Sequence, residues 1–165
     1  MPLPDEHGFP ARVIVPGIYG MKNVKWLTEL ELVNHDYKGY WETRGWSDEA
    51  IVKVRSRIDL PGDGETIRGK DYVIRGIAFG GLHGISKVEV SVDGGLRWQE
   101  AELERPLSSY SWVFWSFIWK APGTGRYTLA ARATDKRGML QEVAPAGAYP
   151  DGASGLHEIN VTIAT

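Results

Sequence analysis

The stretch Val88–Trp98, VEVSVDGGLRW, constrains this chain more than any other. Val88, Val90 and Val92 alternate with Glu89, Ser91 and Asp93, so the valines share one face of a strand and the polar groups the other. Asp93-Gly94-Gly95 follows, residue types that tolerate the positive φ of a tight hairpin with a bulge. The alternation resumes at Leu96 and Trp98. A hairpin with one apolar face is marginal alone and needs a second layer over it. The pattern therefore predicts a layered β domain with Val88, Val90, Val92 and Trp98 in its core.

The remaining sequence supplies such a layer. Asp71–Phe79 is β-rich, and Arg126–Thr134 places Tyr127, Leu129, Ala131 and Ala133 on one face. His157–Ala164 does the same with Ile159, Val161 and Ile163. Ser111–Trp119 is apolar on both faces, with Trp112, Phe114 and Ile118 one way and Val113, Trp115, Phe117 and Trp119 the other. A strand of that kind needs a second partner surface. Pro61-Gly62-Asp63-Gly64 and Asp135-Lys136-Arg137-Gly138 read as turns, and residues 144–155 as a long Pro/Gly/Ala loop. Helix signals are almost absent. About seven short strands with regular turn signals predict an all-β, immunoglobulin-like antiparallel β-sandwich with an irregular N-terminal extension.

That extension covers residues 1–47, ahead of a sandwich over 48–165. Prolines 2, 4, 10 and 16 exclude a long helix. Arg12–Val15 suits a short strand ended by Pro16-Gly17. Trp26–Val33, WLTELELV, alternates Leu30 and Leu32 with Glu29 and Glu31 and predicts a half-buried strand. Asn34–Ser47 reads as an irregular connection whose aromatics Tyr37, Tyr40, Trp41 and Trp46 pack on a neighbour. Residues 1–25 have little apolar material of their own, which predicts mobility or dependence on contacts elsewhere.

Several function classes fall away. The net charge of −2 gives no field for nucleic acid. There is no cysteine, hence no disulfide, thiolate metal site or cysteine nucleophile. His7, His35, His83 and His157 include no close pair of metal-ligand spacing. No Gly-x-Ser-x-Gly elbow occurs, and Gly17-Ile18-Tyr19-Gly20 lacks the strand–helix unit of a dinucleotide fingerprint. No apolar run approaches the roughly 20 residues of a membrane-spanning helix. The first six residues lack the basic start and apolar centre of a signal peptide. What stands out is a run of nineteen residues holding His7, Arg12, Lys22 and Lys25 among Gly8, Gly17 and Gly20. Glycines let backbone N–H groups approach an anion and the cations neutralise it, so this run suits a phosphate; the plainer alternative is a solvated basic loop.

HGFPARVIVPGIYGMKNVKWL resembles the end of the molybdenum-cofactor domain of the sulfite oxidase family, through its His-Gly-x-Pro-x-Arg start, Pro-Gly-x-x-Gly turn and Val-Lys-Trp finish. Further stretches agree in order: His35–Tyr40, Ser56-Arg57-Ile58 before the turn at Pro61–Thr66, Ile74–Phe79, Val90–Trp98, the aromatic strand Trp112–Trp119, and Ala133-Thr134-Asp135. The resemblance implies a parent oxidoreductase that uses molybdopterin for two-electron oxygen-atom transfer. His7 and Arg12 would contact the cofactor, and Lys25 with the backbone around Asn23 and Val24 would hold its anionic end. The family's molybdenum is ligated by a cysteine earlier in the catalytic domain; this chain has none, so no cofactor and no activity are expected of it alone. The implied partners are a second copy, as a homodimer through the sandwich, and an N-terminal catalytic domain of the same polypeptide. In typical sulfite oxidases this domain also lends the anion pocket an arginine from a Trp-Asn-x-Arg-Gly stretch. The corresponding region, residues 148–155, has no arginine and carries Asp151 near that place, or Asp151 simply opens a Pro-Asp-Gly turn. A different class of function stays open on the seven tryptophans: a non-enzymatic module binding carbohydrate or protein through exposed rings. The two separate on whether Trp112, Trp115 and Trp119 are buried or form a row on an open face.

Overall fold

Alternating strands close into two sheets that face one another. The computed structural model describes residues 2–69 and 71–165. Its strands are β1 (Arg55–Leu60), β2 (Thr66–Arg68), β3 (Asp71–Phe79), β4 (Ile85–Ser91), β5 (Gln99–Glu100), β6 (Glu102–Leu103), β7 (Val113–Lys120), β8 (Gly125–Asp135) and β9 (His157–Ala164). One sheet runs β1-β3-β7-β6 and the other β2-β9-β8-β4-β5. This is the expected immunoglobulin-like sandwich with one departure. β2 pairs parallel to β9, so the second sheet is mixed. The three-residue segment Thr66-Ile67-Arg68 is too short to show a period; it joins because Thr162 N–H donates to Glu65 C=O at 2.9 Å and Gly64 N–H to Asn160 C=O at 2.7 Å.

The inner faces hold one buried cluster, including Val88 and Val90 of β4, Leu129 of β8, Ile159 of β9, Ile74 of β3 and Trp115 of β7. Trp115 lies opposite Gly76 of β3. A Cβ on Gly76 would collide with the Trp115 indole and with the Arg57 carbonyl, so the glycine is what admits the ring. Polar pins cross the layers. Ile58 N–H of β1 donates to His157 Nδ1 of β9 at 3.1 Å. At the end of β8, fully buried Asp135 accepts from the N–H groups of Arg137 at 2.8 Å and Met139 at 2.9 Å.

Two core expectations need correction. Trp98 lies on the outer face of its sheet, where the Arg132 guanidinium sits 4.2 Å from the ring centroid and pairs with Glu89 at 2.9 Å. Val92 is only half-buried at the rim. The cause is the turn. Asp93 Oδ1 accepts from Leu96 N–H at 3.1 Å and Arg97 N–H at 2.9 Å, and Ser91 Oγ from Gly95 N–H at 2.8 Å. These side chains stabilise a wide loop instead of a tight hairpin, and pairing restarts only at Gln99 opposite Val90.

The two-faced β7 behaves as its sequence suggests. Trp115 and Trp119 are 2% and 3% exposed, and Phe114 and Ile118 stand on the outer face. There Ile118 lies opposite exposed Val73. No helix among the described residues is long and apolar enough to cross a membrane.

Candidate functional site

The N-terminal strip doubles back on itself. Val13 N–H donates to Val24 C=O at 2.9 Å and Leu27 N–H to Ala11 C=O at 3.0 Å, while Val15 N–H is taken by Asn23 Oδ1 at 2.7 Å. Arg12–Val15 is therefore extended, but its partner is this return segment and no regular ladder forms. Gly8 seals the fold-back. Its φ is +110°, and a Cβ there would stand 3.1 Å from Lys25 Cβ and 3.3 Å from Arg12 Cβ. Any side chain at Gly8 would push those two cations apart.

The structure thus brings Gly8, Arg12, Asn23, Val24 and Lys25 together, with His7 exposed beside them at the end of a single helical turn, Asp5–His7. Arg12 Nε is buried without a hydrogen-bond partner. Among the described residues the N–H groups of Val24 and Lys25 donate to no main-chain carbonyl. Asn23 is engaged at both its Oδ1 and its N–H, the latter donating to Gly20 C=O at 3.0 Å. Lys25 Nζ donates to Glu6 C=O at 2.7 Å. The next residue, Trp26, takes φ +54°, a costly left-handed conformation for a bulky side chain, and is held there by its indole N–H on Asp5 C=O at 2.9 Å. An orphaned guanidinium N–H beside adjacent free amides suits a phosphate ester, so these residues fit the anionic end of a molybdopterin.

The strip is fastened to the sandwich. Tyr19 N–H donates to Ala50 C=O at 2.8 Å and Val52 N–H to Gly17 C=O at 2.9 Å. Lys22 Nζ pairs with Glu42 at 2.8 Å and Asp48 at 2.9 Å. Hydrogen bonds from Lys38 and then Lys22 push the Asp48 carboxyl down to about 2. Tyr40, Trp41, Trp46 and Tyr149 form an edge-to-face series with centroid spacings of 5.0, 6.1 and 5.4 Å, so the connection packs on the 144–155 loop as its aromatics suggested. Tyr149 and Tyr19 were not singled out by the sequence; a Cβ at Gly152 would lie 3.5 Å from the Tyr19 ring, whose hydroxyl is buried and unpartnered.

Trp26–Val33 is corrected. The segment is not a half-buried strand: Leu30 is 80% and Leu32 102% exposed. Its period of two is real, but nothing within the described residues covers it. A cavity of about 290 Å³ separates strip and sandwich, lined by Ile18, Lys53, Leu82, His83 and Glu142 among others. Above it Lys53 Nζ pairs with Glu142 at 3.3 Å and with Asp151 at 3.8 Å. The histidines do not converge; no group of three metal-ligating side chains occurs among the described residues.

The family model of the oxidoreductase molybdopterin binding domain matches residues 1–41, and that of the Mo-co oxidoreductase dimerisation domain matches residues 49–149. Human mitochondrial sulfite oxidase is 38% identical over 159 residues, 81% of this chain and 29% of that protein. The chain belongs to the sulfite oxidase-like molybdopterin oxidoreductases. Within that family a nitrate reductase of Hordeum vulgare is 31% identical over 150 residues, covering 70% of this chain and 17% of its own length. The crystal structure of the sulfane dehydrogenase SoxCD from Paracoccus pantotrophus matches with a TM-score of 0.76 at 25% identity, over 98% of this chain and 48% of that one. The chain spans less than a third of the curated relatives named here. Its sandwich is the family's dimerisation domain, and its strip belongs with the family's molybdopterin-binding part. The sugar- or protein-binding alternative is disfavoured, since of Trp112, Trp115 and Trp119 the latter two are core residues and Trp112 alone, 52% exposed, faces outward, so they form no open row.

Proposed function

We propose that this chain works with a molybdopterin-binding domain of the same polypeptide as an oxygen-atom-transfer oxidoreductase, residues 1–47 closing the cofactor site and residues 48–165 holding a homodimer. The observation that carries this reading is the unpartnered Arg12 Nε in the Gly8 fold-back, next to Lys25. Arg12, the Val24 and Lys25 amides and the Lys25 ammonium bind the anionic end, with His7 at the rim. When bound, the molybdenum cofactor supplies the two-electron oxygen-atom chemistry. The homodimer forms through the outer face of the β1-β3-β7-β6 sheet, where exposed Val73, Phe114 and Ile118 provide the apolar centre.

Residues 148–155 contain no arginine, which favours a parent with weak affinity for free sulfite. Lys53 already pairs with Glu142 at 3.3 Å and Asp151 at 3.8 Å, so its charge is committed to carboxylates and not presented to a dianion. A less charged oxygen donor or acceptor fits better. Elemental analysis tests the cofactor assignment. The 165-residue chain should carry no molybdenum, and Arg12→Ala in the polypeptide with its cofactor domain should lower molybdopterin content at least about tenfold, the loss of one charge-assisted contact. Stoichiometric molybdenum in the 165-residue chain, or an unchanged content in Arg12→Ala, would overturn it. A low micromolar KM for sulfite, lost on mutating residues 148–155, would overturn the substrate reading.

A further inference from the structure

Thr28–Val33 is built like a strand and used like none. Between Thr28 and Lys38 no main-chain N–H or C=O bonds another main-chain group among the described residues. Leu30 and Leu32 project into water, while Glu29, Glu31 and Val33 line the opposite side together with Tyr37. Both edges of the segment are open, and its apolar side is bare. Folded chains pair or cover such an edge, because unpaired backbone and exposed leucines invite association.

A second copy is a poor occupant. Antiparallel self-pairing with Leu30 or Leu32 opposite either of these leucines requires an even sum of residue numbers; sums of 60 and 62 set Glu29 or Glu31 against another carboxylate, and a sum of 64 avoids this only by placing Leu30 opposite Asn34. A parallel in-register pair sets each glutamate against its own copy. Like charges directly opposite one another destabilise a pair of strands. A partner complementary to this segment fits better: apolar on one face, Lys or Arg on the other. The family model for the molybdopterin-binding domain extends through residue 41, so the segment falls inside that match, starting three residues after Lys25 of the cradle.

We infer that Thr28–Val33 completes a β-sheet of the molybdopterin-binding domain, pairing with a strand that sets apolar side chains against Leu30 and Leu32 and Lys or Arg opposite Glu29 and Glu31. The inference rests on the reading that such a domain works with this chain. Pairing there fixes the left-handed Trp26 and, with it, the Lys25 amide, so the added strand is also the brace of the anion cradle.

Hydrogen exchange at the amides of residues 29–33 tests it, comparing this chain with the polypeptide that carries the cofactor domain. Exchange should be fast in the former and slowed at least about tenfold in the latter, as backbone pairing requires. Leu30→Asp with Leu32→Asp should restore fast exchange there while Leu129–Ala133 stay protected. Glu29→Lys with Glu31→Lys, a variant that keeps the leucines, should loosen the same amides. Equal exchange in both proteins would overturn the inference, as would concentration-dependent protection in this chain alone, which would mean self-pairing. Molybdenum content of the longer polypeptide separates the two readings. Metal present with unprotected residues 29–33 defeats the strand and leaves the function standing; protection without metal does the reverse.

Discussion

The Ser56 hydroxyl donates a 2.8 Å hydrogen bond to Oε1 of Gln141, a residue 85 positions away. That oxygen also accepts from Ala133 N–H at 3.2 Å, and the Gln141 amide donates to Gly155 C=O at 2.9 Å. One buried glutamine thus ties an edge strand, a central strand and the 144–155 loop. Gln141→Leu leaves a hydroxyl and a backbone N–H unpaired, and should cost about 2–3 kcal/mol. Urea denaturation should show a lower midpoint with an unchanged slope.

Gly76 offers a steric test. Gly76→Ala puts a methyl group into the Trp115 indole and the Arg57 carbonyl. Neither can move without disturbing the core, so the variant should lose about 1–3 kcal/mol or more, the cost of overpacking. Thermal unfolding and the near-ultraviolet signature of the tryptophans should report it together.

Asp135 gives a pH dependence with a definite sign. Burial opposes its ionisation, but hydrogen bonds from Met139 N–H and the Arg137 side chain and backbone outweigh that and hold the carboxyl below its ordinary value. A depressed folded value means the ionised group stabilises the fold above the ordinary range near about 4, and this contribution is lost as pH falls through it. The stability gap between the native chain and Asp135→Asn should be constant from neutral pH to about 5 and shrink below about 4. A gap independent of pH would refute the assignment.

The fastening of the strip should be sensitive to salt. Lys22, Lys38, Glu42 and Asp48 form a partly exposed network, and pairs open to solvent are screened. Asp48→Asn, or molar salt, should raise proteolysis within residues 1–25 while the strand amides around Val88–Val90 keep their protection.

The dimer face is checked by sedimentation. Phe114→Glu with Ile118→Glu changes two exposed side chains and should leave the sandwich intact. The native chain should self-associate at micromolar concentration and the variant should not. A strictly monomeric native chain would remove support for this face.

Much of the sandwich was legible because its strands carry a strict period of two. Val88, Val90, Leu129 and Ile159 needed no tertiary information. Trp98 did not follow, because Ser91 and Asp93 cap a loop whose length the alternation does not encode. Leu30 and Leu32 show the opposite limit: the period marks a strand, and burial depends on a partner the pattern cannot name. The meeting of Arg12 and Lys25 is set by Gly8, a residue whose role appears only once the backbone doubles back. Composition marked both among four cations but left a solvated loop the plainer reading; resemblance turned attention to the anion site.

The position of β9 governs the order in which the domain is made. It lies between β8 and β2, pairing antiparallel with one and parallel with the other. Residues 66–68 therefore wait for residues 162–164 before they have a neighbour. Until β9 is in place this sheet stays split, with β2 apart from β8, β4 and β5, while the valine face of β4 is already covered by the facing sheet. β9 is thus an interior strand that closes the domain, and losing residues 162–164 would leave β2 with no neighbour in its sheet.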